Sequence, residues 1–249
     1  MNNREAWNTP EMARIYGPLK NLTAPERKIL DTIFPRLKDA KMLDIGVGGG
    51  RTTLHFAPLV KEYIGIDYSE RMIKACQSRF PNLTFSVMDV RDMLIPNDSF
   101  DFILFSHSGL DCCEEGREEA LKEIHRVGNF NSTFIFSCHN LNGAESLFRA
   151  RLSLNPMVMK NRILTANKFK REYGGRDFDA YPSTFLNDGS HDGQLMLQYT
   201  HPAAQIRQLT ELGFDDIRLF GENGEIIVDP DAAKDVTIYY MCRIRKELK

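Results

Sequence analysis

From Lys41 onward, short apolar runs alternate with amphipathic stretches, and the two periods separate the elements. Runs at Lys41–Val47, Glu62–Asp67, Leu83–Met88, Phe100–Ser106 and Thr133–Cys138 have the length and composition of buried strands. Between them the apolar positions recur at helical spacing. Arg51 to about Leu59 forms one such stretch, a second follows the cap residue Ser69 with Met72, Ile73 and Cys76 on its buried face, and Glu114–Val127 forms a third. Strands and helices alternating at this rhythm predict a parallel sheet wrapped on both faces. Upstream, Thr23-Ala24-Pro25-Glu26 supplies a cap, a first-turn proline and an acid, and Ile29, Leu30, Ile33 and Phe34 continue as a helix.

The alternation lapses from about Leu141 to Leu197, where Pro156, Gly174-Gly175, Pro182 and Gly189 interrupt the helical signal. A segment of that length within a compact domain predicts a cover over a site. Regularity returns at Thr200-His201-Pro202, which opens a helix carrying Ile206, Leu209 and Leu212. Gly213-Phe214 ends it, and strands at Ile217–Phe220 and Val236–Arg243 follow. The expected fold is an α/β, doubly wound, mostly parallel seven-stranded sheet with a helical and irregular cover insertion. The expected division is 1–38 as an N-terminal helical lid, 39–140 with 199–249 as the core, and 141–198 as the cover.

Charge and cysteine content narrow the classes. Of 249 residues, 32 are basic and 34 acidic, so the summed charge favours neither nucleic acid nor an anionic membrane as partner. No apolar run approaches the roughly 20 residues of a membrane span, and no apolar signal region follows Met1-Asn2-Asn3-Arg4-Glu5. A cytoplasmic protein is expected. The five cysteines contain no C-x-x-C pair, against both a disulfide framework and a zinc knuckle. Cys112, Cys113 and Cys138 all fall near strand ends, so a soft-metal or metalloid role is carried as an alternative to plain packing.

The most informative stretch is Met42-Leu43-Asp44-Ile45-Gly46-Val47-Gly48-Gly49-Gly50. An apolar strand breaking into clustered glycines brings bare backbone up to a nucleotide. A dinucleotide fold wants G-x-G-x-x-G, but Arg51 stands at the third glycine position, which disfavours a nicotinamide enzyme. The glycines read G-x-G-x-G after the acid Asp44. Asp67 closes the second strand 21 residues after Gly46, where a carboxylate can accept from two ribose hydroxyls or serve as a turn acid before Ser69. Asp89 closes the third strand, where an acid and the neighbouring amide of Val90 can hold an adenine. Asp44 either orients the loop and anchors an amino group or is a structural turn acid.

Glycine loop, second-strand acid and third-strand acid in this order resemble the class I S-adenosylmethionine-dependent methyltransferases. The resemblance covers about residues 40–140 and more loosely 200–245. It extends to Phe105-Ser106-His107-Ser108-Gly109-Leu110-Asp111, to Arg117-Glu118-Glu119-Ala120-Leu121-Lys122-Glu123-Ile124-His125-Arg126-Val127 and to Phe136-Ser137-Cys138-His139-Asn140. It is similar to a bacterial small-molecule branch, and departs from relatives at Gly128-Asn129-Phe130-Asn131, where they carry a Leu-x-Pro-Gly-Gly turn. The resemblance implies a Rossmann-like methyltransferase fold and S-adenosylmethionine as cofactor, bound by Asp44, Gly46, Gly48, Gly50, Asp67, Tyr68, Met72, Asp89, Val90 and Ser106. The implied reaction is in-line methyl transfer to an oxygen or nitrogen of a small molecule such as a sugar or secondary metabolite. C-methylation, metalloid methylation or non-catalytic cofactor binding are the alternatives. The expected partners are the small-molecule acceptor and, at most, a second copy of the chain as a homodimer.

His107 and Asp111 follow the fourth strand and His139 the fifth, so these three are expected to rim the methyl site as catalytic residues. Either histidine can accept a proton near neutrality or merely shape the pocket. His191, His201 and Tyr199 are secondary candidates. Trp7 and Tyr16 fold over the cofactor as a lid or pack in the core. Arg51 reaches the cofactor carboxylate or stays solvated. Lys168, Lys170, Arg171 and Arg176 read as an anionic-acceptor site or a solvated face. The Asn/Asp-Pro-Pro-aromatic motif of nucleic-acid base methyltransferases is replaced by Ser106-His107-Ser108-Gly109.

Overall fold

The computed structural model describes residues 7–16, 19–113, 116–150, 152–189, 193 and 195–246. Among the described residues, the helices α1 (Pro10–Tyr16) and α2 (Ala24–Ile33) precede the sheet. The expected cap of α2 is a capping box, with Glu26 N bonded to the Thr23 hydroxyl and Thr23 N donating to the Glu26 carboxylate at 2.7 Å. There follow β1 (Lys41–Ile45), α3 (Thr53–Phe56), β2 (Glu62–Asp67), α4 (Glu70–Arg79), β3 (Thr84–Val87), β4 (Phe100–Phe105), α5 (Arg117–Val127) and β5 (Gly128–Asn140). The strands β1 to β5 pair in parallel in the order β3-β2-β1-β4-β5. Their alternate residues serve two cores. Leu43, Ile45, Ile103, Phe105, Phe134 and Phe136 pack with α5, whereas Met42, Phe102, Leu104 and Ile135 pack with α2 and α4.

The remaining elements are α6 (Pro156–Tyr173), β6 (Ser183–Leu186), β7 (Leu197–Thr200), α7 (Pro202–Glu211), β8 (Phe214–Phe220), β9 (Ile226–Ile227) and β10 (Thr237–Ile244). Strand β10 lies antiparallel between β5 and β8. The seven expected strands are therefore all present, joined by the short strands β6, β7 and β9 to give a ten-stranded sheet.

Three local expectations are corrected. The helix after the glycines starts at Thr53, not Arg51, and passes into a 3-10 turn at Ala57–Leu59, because residues 48–52 are spent in the turn itself. Strand β5 begins at Gly128 rather than Thr133, and Asn131 takes φ +58° as the register against β4 shifts. Segment 141–198 is more regular than expected. Pro156 starts α6 rather than breaking it, with Asn155 as its cap, since a first-turn proline loses no helical hydrogen bond. The segment has its own small core, in which Leu141, Phe169, Tyr173, Phe178, Leu186 and Tyr199 are buried, and Trp7 packs against it. Its hairpin is tied to the main sheet by parallel pairing of β7 with the end of β5, His139 opposite Tyr199.

Candidate active site

The winding reverses beside β1, with β2 and β3 laid down on one side and β4 and β5 on the other, all parallel, and ligands in open α/β sheets bind at such a point beyond the strand C-termini. A cavity of about 720 Å³ opens there, lined by the β1 turn, the ends of β2, β4 and β5, the first helices and the cover. That is ample for a nucleotide-sized ligand.

Gly46, Val47, Gly48 and Gly49 form its floor. Gly46 adopts φ +62°, and a Cβ there would stand 3.0 Å from the Phe105 ring, so only glycine lets the turn close under the cavity. The turn is held from behind, because Cys76 Sγ and Arg79 donate to the carbonyls of Gly48 and Gly49 at 3.0 and 2.9 Å. Gly50 is not among the lining residues. A Cβ on it would lie 2.5 Å from Phe80, so this glycine allows α4 to approach, a packing role in place of the expected ligand contact.

Two buried carboxylates border the turn. Asp67 accepts from Gly48 N at 3.0 Å and Ser69 N at 2.8 Å, joining the glycine turn to the start of α4, while its side chain lines the cavity. Burial outweighs these two bonds and pushes Asp67 up to about 6. Asp44 accepts from Thr52 Oγ1 and the Tyr63 hydroxyl, both at 2.5 Å on the same oxygen, and burial likewise pushes it up to about 6. Tyr68, Met72, Met88, Asp89 and Val90 line the cavity farther along, where Asp89 is engaged by Arg91 at 2.7 Å. Ser106 completes this side.

Arg51 is buried rather than solvated, and it lines the cavity. Its guanidinium forms a two-pronged pair with Glu26, both contacts at 2.6 Å, and bonds Asn21 O at 3.1 Å. Ser106 also donates to Glu26. The partnership was invisible in sequence because 25 residues separate the two, and the only local sign of Glu26 was its place in a capping box. Burial opposes the Glu26 charge, but Arg51 overrides it and holds the carboxyl at about 2. Glu26 thus stabilises the fold above its unfolded value near 4.5, and this contribution is lost as pH falls from about 4.5 toward 2. Replacing Glu26 with Gln leaves Arg51 buried without its counter-charge. The expected cost is about 3–5 kcal/mol in denaturant unfolding at neutral pH, shrinking in acid.

At the other side His139 and His107 line the cavity. Asp111 accepts from His139 N at 2.6 Å and from His139 Nδ1 at 2.7 Å. Since a carboxylate only accepts, Nδ1 carries the proton and Nε2 is the basic nitrogen. The ring stacks on Tyr199 with centroids 4.7 Å apart. Burial disfavours the imidazolium, but Asp111 outweighs it and sets His139 above the ordinary histidine value. Asp111 itself does not rim the cavity as expected. It is fully buried behind His139, and Arg117 pairs with its other oxygen at 2.7 Å. His107 is exposed, and with Ser108 it forms two successive left-handed residues, a costly turn anchored by Ser108 N on Ser137 Oγ at 2.7 Å.

Several other expected residues lie elsewhere. Tyr199 is buried beneath His139 and donates to Asp188 at 2.8 Å, and His201 bonds Asn142 and Phe178 O within the cover, so neither lines the cavity. Cys112 and Cys113 reach the cavity, but Cys138 is turned away toward Arg117, 2.9 Å distant, because strand alternation aims it into the core. The three thiols are therefore not gathered on one ligand. Lys168, Lys170, Arg171 and Arg176 are exposed on and after α6, outside the cavity, with Arg176 over the Tyr173 ring. Trp7 lines the cavity. The Tyr16 side chain and His191 lie outside the described residues. Glu222, Thr237 and Tyr239, which carried no sequence signal, also line it.

Residues 42–129 match the family model described as a methyltransferase domain. An uncharacterised methyltransferase of Bacillus subtilis is 30% identical over 104 residues, 40% of either chain. Ajmaline N-methyltransferase of Rauvolfia serpentina is 33% identical over 117 residues, 42% of this chain and 38% of that one. Demethylmenaquinone methyltransferase of Chlamydia felis is 28% identical over 155 residues, 59% and 66%. This chain thus spans less than half the length of the first two relatives. Among solved structures, an S-adenosylmethionine-dependent methyltransferase of Clostridium acetobutylicum shares the fold at TM-score 0.66 and 13% identity, covering 95% of this chain and 98% of that one. A methyltransferase of Streptomyces caelestis does so at 0.65 and 13%, covering 99% and 100%. Residues 42–129 are thus a methyltransferase domain, and the glycine turn and strand order give the chain the fold of the S-adenosylmethionine-dependent methyltransferases.

Proposed function

We propose that this protein transfers a methyl group from S-adenosylmethionine to an oxygen or nitrogen of a small molecule, with His139 taking the acceptor's proton. The carrying observation is His139 on the same cavity as the glycine turn, backed by buried Asp111 2.7 Å from its Nδ1. The cofactor fits the residues present. Gly46 leaves room where a side chain would fill the floor, and two desolvated carboxylates, Asp44 and Asp67, stand ready for hydroxyl or ammonium donors. In this reading Asp67 holds the ribose, Asp89 and Val90 the base, and Asp44 with Ser106 the amino-acid end, while Gly48, Tyr68 and Met72 shape the walls. The bound cofactor supplies an electrophilic methyl group on sulfur. His139 Nε2 receives the acceptor proton, Asp111 fixes the ring's tautomer, and Trp7 and the cover, 141–198, exclude water.

The test is turnover of radiolabelled S-adenosylmethionine with a panel of alcohols, phenols and amines, alongside calorimetric titration with S-adenosylmethionine and NAD. Binding of the first alone, with label moving to an acceptor, supports the proposal. Binding without transfer to any acceptor would leave a non-catalytic module instead.

A pH dependence follows. Hydroxyl donors favour ionised Asp67, whose carboxyl titrates at about 6 when the cavity holds no ligand. Below that value, binding must expel a proton, so affinity for S-adenosylmethionine is expected to fall by up to about tenfold per pH unit. Calorimetry from about one unit below to about two units above the Asp67 value reads this directly.

A further inference from the structure

The chain's total charge of −2 conceals a strongly polarised molecule. Helix α6 holds Lys160, Arg162, Lys168, Lys170 and Arg171 against Glu172 alone, a net +4 that leaves −6 on the rest. Its inner face is short. Ala166, Phe169 and Tyr173 are buried in the cover core, so the N-terminal half of the helix makes little use of that core. On the opposite face Met157, Lys160, Leu164, Lys168 and Arg171 follow at intervals of three and four, one continuous stripe of exposed residues. Just before the helix, Leu152 and Leu154 project almost wholly into solvent, 90% and 104% exposed, and Met157 follows at 75%. Apolar side chains this exposed and this close together mark an interaction surface.

We infer that residues 152–171 dock on an anionic lipid surface, Leu152, Leu154, Met157 and Leu164 entering the headgroup boundary while Lys160, Lys168 and Arg171 lie against the lipid phosphates. Two observations select this occupant. The charges are cationic and border the apolar residues, the arrangement of an interfacial helix. A symmetric dimer through this face would set +4 against +4, so a second copy of the chain fits it poorly. Among the described residues no helix is long and apolar enough to cross a membrane, so the mode is lying on the surface and not spanning it. The summed charge that argued against a membrane partner is an average over a dipolar molecule. Docking there would turn toward the lipid the same cover whose core reaches the cavity through Leu197.

The full chain is tested by flotation with vesicles of phosphatidylcholine alone and with about one-third phosphatidylserine, at low and high salt. Binding is expected only to the anionic vesicles and to fade with salt. Changing Leu152, Leu154 and Met157 together to Ser, all exposed and so harmless to folding, is expected to abolish it. K168E with R171E is expected to weaken it by at least about a hundredfold. Absence of binding to anionic vesicles at low salt overturns the proposal, as does binding that the triple Ser variant leaves unchanged. Light scattering on the same variants supplies a third arm. A dimer of the native chain that the triple variant dissolves would make this face a homotypic interface and overturn lipid docking.

Discussion

Replacing His139 with Ala lowers kcat by about 10²–10⁴-fold, the range removed with a positioned proton acceptor, while binding of S-adenosylmethionine stays close to native. The expectation rests on the ring's two attachments, Asp111 at Nδ1 and Tyr199 across its face, which leave Nε2 as the basic atom beside the cavity. The pH profile separates base from scaffold. With its pKa held above the ordinary histidine value by Asp111, His139 is protonated at acid pH, so kcat should rise with pH through a midpoint above the ordinary histidine value before levelling off. Asp111→Asn removes the charge that opposes burial and should move that rise to lower pH while reducing the plateau. It also unbalances buried Arg117, so unfolding must be measured in parallel. Equal turnover by His139→Ala and the native protein at saturating acceptor would exclude His139 as the base and return attention to exposed His107.

The second large effect is on the donor side. Asp67→Ala is expected to raise the dissociation constant for S-adenosylmethionine by at least about 100-fold, since two charge-assisted bonds at about 1.5 kcal/mol each disappear. The same change releases Gly48 N and Ser69 N, which Asp67 now links, so some loss reflects a loosened glycine turn. Asp67→Asn distinguishes the two contributions. It keeps a carbonyl acceptor for one amide but no charge, and should recover stability without recovering affinity. An unchanged dissociation constant for Asp67→Ala by calorimetry would remove that residue from the proposed binding set.

The part of the cavity lined by the ends of β1, β2 and β3 was legible in sequence because it is local. Asp44, Gly46, Gly48, Asp67 and Asp89 stand at the ends of three successive strands, and strand ends are what hydrophobic periodicity locates. The family-model match ends at residue 129, and the two relatives at 30% and 33% identity align over little more than 100 residues. Gly50 was misread because the motif's spacing does not say which glycine faces ligand and which faces a helix. The rest was hidden for the opposite reason. Arg51 finds Glu26 from another element, Asp111 is drawn behind His139 by Arg117, and Glu222 and Tyr239 arrive from the far side of the sheet. Those meetings are made by tertiary packing, and no run of neighbouring residues records them. Segment 141–198 was legible as a departure from the strand–helix alternation, but the hairpin that attaches it carried no periodic signal strong enough to register.

That attachment has a mechanical consequence. The last residues of β5 hold His139, and the strand laid along them, β7, brings the Tyr199 ring that supports it. Entry of an acceptor by lifting the cover at this seam would peel β7 from β5 and withdraw the imidazole's backing in the same movement. On the proposed role of His139, admission of an acceptor by that route and proton abstraction would exclude one another. A molecule built so would be chemically idle while open.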